Sequence, residues 1–292
     1  MTTRSPRSPA RKSVRTRRRM AATAGLLLVG LLPACSGSVP TRRATVDPSG
    51  VTPASGRRGL FPAGAEVLLF TRTEAFRHDS IDTAIGALSE RLHAEGVGVE
   101  VTDEAERIAA LDRQPVSTVV FLHTSGDALD GPGERALERF VRGGGGFVAV
   151  HSALDTEYDW PFYGQLIGAW FQDHPAVQPA DVVLVQPAPS ESPGSAGSMG
   201  AGPGGVASPS RWRRTDEWYN LRGPLPSGVL VHATVDEDTY QGGTMGGVHP
   251  VEWSHRVDSG RVFVTSMGHT DEAWQDAAFV ERIIQGIGST TG

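Results

Sequence analysis

Four histidines in this chain each come after a short apolar run. His123 directly follows Val119-Val120-Phe121-Leu122 and His151 directly follows Phe147-Val148-Ala149-Val150, while His78 trails Val67-Leu68-Leu69-Phe70 and His269 trails Val262-Phe263-Val264-Thr265. Imidazole exchanges protons near neutral pH and is the commonest metal-binding side chain. One histidine in such a place is more often a satisfied structural residue, but four in equivalent places form a stronger pattern.

Acids and aromatics stand close to these histidines. Asp155, Glu157, Tyr158, Asp159 and Trp160 follow His151, and Asp216, Glu217, Trp218, Tyr219 and Asn220 repeat the mixture. Carboxylates accept hydrogen bonds from hydroxyls, and Tyr and Trp can cover the apolar faces of a sugar ring, so both segments suit a carbohydrate. For any one of these residues, a solvated acid or a core-packed ring is an equally good account. His249 with Glu252, and His269 with Asp271 and Glu272, add donors that suit zinc or another divalent ion. No HExxH and no CxxC pair occurs, so the metal signal is diffuse and the cofactor stays open. G-x-S-x-G is also absent, which weakens a serine hydrolase reading, and the glycines at 143–146 form neither a Walker loop nor G-x-G-x-x-G.

The elements that must position these side chains alternate. Strands are expected at 67–70, 99–101, 119–122 and 147–150. Between them come a helix with Ile81, Ala84, Ile85, Leu88 and Leu92 on one face, capped by Asp79, a brief helix at 108–111, and a helix bearing Leu137, Phe140 and Val141. Continuously apolar strands alternating with helices predict an α/β, doubly wound, mostly parallel sheet in a single domain, of flavodoxin-like type. Ligands bind such sheets beyond the carboxyl ends of the strands, which is where the histidines fall. The second half is less regular, with a helix at 161–171, strands at 182–185, 229–231 and 262–265, a glycine-rich turn at 242–247 and a last helix at 277–287. Between them, 21 of the 24 residues at 187–210 are Pro, Gly, Ser or Ala, a composition that cannot bury a core and predicts a disordered insertion.

The ends of the chain bear on where it works. Residues 1–35 carry eight basic residues and no acid, then an apolar run at 21–32 too short to span a bilayer, and finish at Leu32-Pro33-Ala34-Cys35. This is the layout of a lipoprotein signal peptide with Cys35 as the lipidated residue, which predicts an exported protein on the outer face of the cell membrane, or a secreted one without the lipid. A disordered tether at 36–63 leads to the folded domain at 64–288. Without the leader, 19 basic residues face 33 acidic ones, a net charge of −14 that makes nucleic acid a poor partner. Cys35 is the single cysteine, so the folded domain has no cysteine nucleophile.

Several ordered motifs together resemble one family. Thr73-Glu74-Ala75-Phe76-Arg77-His78-Asp79-Ser80-Ile81, the stretch from His151 to Phe162 with Thr-Glu-Tyr-Asp-Trp-Pro, Thr215-Asp216-Glu217-Trp218-Tyr219, and Gly260-Arg261 through Gly268-His269-Thr270 look like the ThuA-like (trehalose utilisation) family, over about residues 66–288. The resemblance implies a class I glutamine amidotransferase-like fold and a link to trehalose or related disaccharide metabolism. In that superfamily a reactive cysteine occupies the sharp turn after a glycine-led strand. Here the turn carries His151, which cannot do thiolate chemistry, so cysteine-dependent amidotransferase activity is not expected. Val248, where an acid is expected before the His-Pro pair, removes one polar contact or metal ligand.

The residues and the resemblance together lead to a sugar or keto-sugar bound and processed by hydrolysis or elimination, or else to a non-catalytic carbohydrate-binding surface lipoprotein. His151 with Asp155 or Glu157 is the expected proton-transfer group. His78, His123, Tyr158, Trp160, Glu217, Trp218, His249 and His269 are the expected substrate contacts.

Overall fold

The computed structural model describes residues 59–185 and 210–292. The expected leader, residues 36–58 of the tether and all of the insertion except Ser210 lie outside the described residues. In chain order the elements are β1 (Glu66–Phe70), α1 (Ile81–Ala94), β2 (Gly98–Thr102), α2 (Ala105–Ala109), β3 (Thr118–Leu122), α3 (Gly131–Arg142), β4 (Gly146–Val150), a 3-10 turn (His151–Asp155), α4 (Pro161–Ile167), β5 (Phe171–Asp173), β6 (Gln178–Leu184), β7 (Arg211–Asp216), β8 (Asn220–Leu221), β9 (Leu230–Val235), β10 (His249–Val257), β11 (Gly260–Thr265), α5 (Asp271–Gln275) and α6 (Ala277–Thr290). No described helix is long and apolar enough to cross a membrane.

Nine strands form one sheet in the order β2-β1-β3-β4-β11-β10-β9-β6-β7, and β5 pairs with β8 beside it. The first five run parallel, as the βα alternation predicts, while β10, β9, β6 and β7 extend the sheet by antiparallel pairing. Alternate side chains of each strand point to opposite faces. Val67, Leu69, Val120, Leu122, Val148 and Val150 therefore pack under Leu88 and Leu92 of α1 and Ile283, Ile284 and Ile287 of α6. Leu68, Phe70, Val119, Phe121, Phe147 and Ala149 pack on the other face against Ile108, Leu137, Val141 and Leu166. Burial on both faces is why β1, β3 and β4 read as unbroken apolar runs. The glycines before β4 serve close packing: a Cβ on Gly146 would stand 2.5 Å from Thr118 Oγ1 and 2.7 Å from the Thr290 carbonyl.

The sheet directions decide what meets at the site. β9 and β7 run with the parallel strands and β10 and β6 run against them, so one edge collects the carboxyl ends of β1, β3, β4, β11, β9 and β7 and the amino ends of β10 and β6. His78, His123, His151, His269, Glu217 and His249 all lie at or beyond that edge.

Some local expectations change. The first residue before α1 is Ser80 rather than Asp79, and its hydroxyl makes no cap; it donates to the His269 carbonyl at 2.8 Å and ties the β1 loop to the β11 loop. The helix expected at 161–171 ends at Ile167, because Gly168 takes φ +81° and Phe171 begins β5. The strand β10 covers residues that read as a polar motif. Pro250, which cannot donate to a ladder, sits where the β9 register shifts, as prolines inside sheets do.

Candidate functional site

His123 and His151 end neighbouring parallel strands, and both adopt left-handed backbone, each at φ +54°. Such a conformation is uncommon outside glycine and costs about 1 kcal/mol or more, so surrounding contacts must hold it. At His151 it makes the sharp strand-to-helix turn that the family resemblance implies. The ring is then fixed by its Nδ1–H, which donates to the Ser266 carbonyl at 2.7 Å, leaving Nε2 without a proton in the neutral ring.

Four polar atoms crowd that Nε2. His78 Nε2 lies at 3.1 Å, His269 Nδ1 at 3.2 Å, the Tyr219 hydroxyl at 3.1 Å and Glu217 Oε2 at 3.4 Å. Glu217 Oε2 also meets His269 Nδ1 at 3.1 Å, and its Oε1 meets His174 Nδ1 at 2.9 Å. His78 is oriented by Ser152 Oγ, 3.2 Å from its Nδ1, and the Tyr219 ring stacks on His151 at 4.4 Å. His78, His151 and Glu217 are buried, His269 is partly open, and His174 is 40% exposed, so solvent reaches the group from the His174 side. His78, His151, His269 and Glu217 are the residues that could together hold a metal ion.

Burial sets the charge states. It lowers the His78 pKa to about 3, with His151 and His269 adding to the shift, and it lowers His123 well below the ordinary histidine value. Both rings are therefore neutral at neutral pH. Burial opposes charge on Glu217 as well, but its close contacts with the His151 and His269 rings hold its carboxyl well below the usual carboxylate range. His269 is raised, chiefly by its hydrogen bond to Glu217.

Asp216, one residue before Glu217, clamps the site from beneath. It accepts the backbone N–H groups of Glu217, Gly268 and His269 at 3.0 Å and pairs with Arg214 at 2.9 Å, all with no solvent exposure of its own. Gly268 presents its N–H from φ +117°, a backbone that suits glycine. Arg214 Nε and Nη1 find no acceptor among the described residues, and the guanidinium lies over the Trp212 and Phe279 rings at 4.4 and 4.2 Å.

The other expected residues are distributed around this centre. His123 packs against His78 and His151 at 5.2 and 5.3 Å between ring centres, with neither ring nitrogen partnered among the described residues. Asp155 accepts the Tyr158 hydroxyl at 2.6 Å, and Glu157 accepts the Leu129 N–H at 2.6 Å, so the carboxylate brought to His151 is that of Glu217. Trp218 is buried with its N–H on the Gln178 carbonyl, and Trp160 stacks on Tyr163. His249 lies behind the centre, its Nε2–H donating to the Tyr219 carbonyl at 2.8 Å. With Val248 exposed, Glu237 supplies the acid beside His249, 2.8 Å from Nδ1. From sequence, Asp216 and Tyr219 stand out only as members of the 215–220 segment, with no role of their own, and His174 does not stand out. The available signals were the shared motif of 215–220 and a second His-Pro pair, His174-Pro175, resembling His249-Pro250.

These features define an α/β domain of the class I glutamine amidotransferase kind whose strand-end turn bears histidine. The chain belongs to the ThuA family, described as trehalose utilisation, whose model matches residues 66–288. Its fold is similar to that of a ThuA-like protein from Bacteroides uniformis (18% identity, 80% of this chain and 93% of that one, TM-score 0.59). It is also similar to one from Parabacteroides merdae (19% identity, 78% and 90%, TM-score 0.58). No curated protein matches the chain in sequence.

Two predictions follow from the supports of the site. Asp216→Asn strips a buried arginine of its partner, and thermal unfolding should show a loss of about 3–5 kcal/mol; a loss under about 1 kcal/mol would mean that the clamp is not needed. Burial, aided by Glu134 and Asp127, raises Glu157 to about 7. A carboxyl raised in the fold is protonated in both states below its unfolded value near 4.5, and its ionisation in the unfolded chain then lowers stability as pH climbs from about 4.5 to about 7. Glu157→Gln should match the parent near pH 4.5 and exceed it at pH 8 by something on the order of 3 kcal/mol. Parallel pH profiles of the two proteins in urea unfolding would contradict this.

Proposed function

We propose that this ThuA-family protein is exported and lipid-anchored, and that it binds and processes a sugar or keto-sugar of the trehalose or related disaccharide class. The observation that carries the reading is the meeting of His78, His151, His269 and Glu217 at the carboxyl edge of the sheet, where α/β folds take their ligands. The family's link to trehalose utilisation supplies the substrate class. His78, at the buried end of the group, is neutral, and the open end is His269 with His174. A sugar hydroxyl or carbonyl entering there meets imidazole and carboxylate able to take or give a proton, as hydrolysis or elimination requires. Glu217 takes the place beside His151 that Asp155 or Glu157 was expected to fill.

His151→Ala and Glu217→Gln should each lower turnover of a disaccharide or its 3-keto form by roughly tenfold to a hundredfold or more while the protein stays folded. A panel of disaccharides and 3-keto-disaccharides, with product analysis and calorimetry on the same samples, checks this. Tight binding without product would favour the non-catalytic carbohydrate-binding reading, and variants that are destabilised yet fully active would remove the centre from the mechanism.

Export and anchoring rest on residues 1–35, with their basic start, short apolar run and terminal Cys35. Cys35→Ala should release the protein from membranes or leave its precursor unprocessed. Unchanged membrane retention and unchanged size on a gel would exclude the lipid anchor.

A further inference from the structure

We infer that His78 Nε2, His151 Nε2, His269 Nδ1 and Glu217 Oε2 form a binding site for one divalent transition-metal ion of the zinc class. The first argument is a count of hydrogen-bonding capacity. The Nδ1–H of His151 is committed to the Ser266 carbonyl, so its Nε2 offers one lone pair and no proton. That lone pair faces two other imidazole nitrogens, a hydroxyl and a carboxylate oxygen, all within 3.4 Å. One hydroxyl proton satisfies it once, and the carboxylate oxygen has no proton with which to approach it. A cation lets every one of these lone pairs point at the same place.

The second argument is spacing. Zinc lies about 2.0–2.2 Å from nitrogen and oxygen ligands, which places neighbouring ligands of a tetrahedron about 3.3–3.6 Å apart. The four measured edges, His78–His151, His151–His269, His151–Glu217 and His269–Glu217, are 3.1, 3.2, 3.4 and 3.1 Å, and all four ligand atoms lie within 4.8 Å of one another. Outer partners complete the pattern. The Ser266 carbonyl on His151 and the Ser152 hydroxyl on His78 are the contacts that hold metal-bound imidazoles in one tautomer and orientation. Three imidazoles with one carboxylate suit zinc and its transition-metal neighbours, whereas magnesium and calcium favour all-oxygen shells.

An ion in this position changes the roles in the cleft. His151 would be a ligand rather than a base, and the ion, expanding beyond its four protein ligands, would supply Lewis-acid chemistry beside the Tyr219 hydroxyl. His174, outside the four and 2.9 Å from Glu217, is then the imidazole available for proton transfer at the open side. The role in turnover rests on the sugar reading, while the ion site itself does not.

The full chain, purified without a polyhistidine tag, should retain close to one equivalent of zinc by elemental analysis. After chelation it should take up one equivalent of added zinc, and cobalt should give the absorption of a low-symmetry site. His269→Ala and Glu217→Gln should weaken zinc binding by at least tenfold, with His93→Ala, an exposed histidine on α1, unchanged. Circular dichroism establishes that each variant is folded. Folded wild-type protein that neither retains nor takes up zinc or cobalt would overturn the site, and so would zinc affinity unaffected by both ligand variants. Zinc bound at one equivalent with no turnover of any sugar would leave the site standing and remove the reading that a sugar is processed there.

Discussion

The hydrogen bond from His151 Nδ1–H to the Ser266 carbonyl links the ends of the adjacent strands β4 and β11 and decides what the centre can do. It fixes the tautomer of the most crowded ring and aims an unprotonated nitrogen at His78, His269, Tyr219 and Glu217. Without it the ring could turn, and the same residues would make an ordinary network of hydrogen bonds. The left-handed backbone of His151 belongs to the same constraint, since the sharp turn allows a side chain from a fully buried strand end to reach the edge of the sheet.

The antiparallel half of the sheet supplies what the parallel half lacks. Parallel strands bring histidines to the edge, but no carboxylate among their own loops meets His151. Glu217 arrives from β7, at the far side of the sheet order, because the chain after β7 folds back and Asp216 fastens it to Gly268 and His269. Buried charge is tolerated here because Asp216 is fully engaged by Arg214 and three backbone N–H groups. A strained turn, a buried ion pair and a neutral histidine pair are each costly alone, and their concentration at one edge is the usual mark of a functional site.

The parallel half of the fold was legible in the sequence because burial on both faces leaves unbroken apolar runs, as in β3 and β4. The strand-end histidines were legible for the same reason, since polar residues directly after such runs stand out. The antiparallel half was legible only in part: β6 and β9 left apolar runs at 182–185 and 229–231, while β7 and β10 left none. β10 carries Pro250, Glu252, His255 and Arg256, so neither alternation nor an apolar run marks it as a strand. The choice of carboxylate was hidden too: Asp155 and Glu157 are near His151 in sequence, yet the 3-10 turn directs them to Tyr158 and Leu129. Glu217 is 66 positions from His151, and only the pairing of β6, β7 and β9 brings it there. Trp218 shows the converse, because next to a functional glutamate it looks like a sugar-stacking ring while its alternate direction sends it into the core.

The central claim is that a backbone carbonyl holds His151 with its Nε2 lone pair turned into the cluster. Long-range proton–nitrogen NMR on histidine-labelled protein reads the tautomer of each ring directly. The account predicts that His151 carries its proton on Nδ1, with Nε2 unprotonated and shifting on zinc addition together with the ring nitrogens of His78 and His269. A His151 proton found on Nε2 in the folded protein at neutral pH, unmoved by zinc, would contradict it.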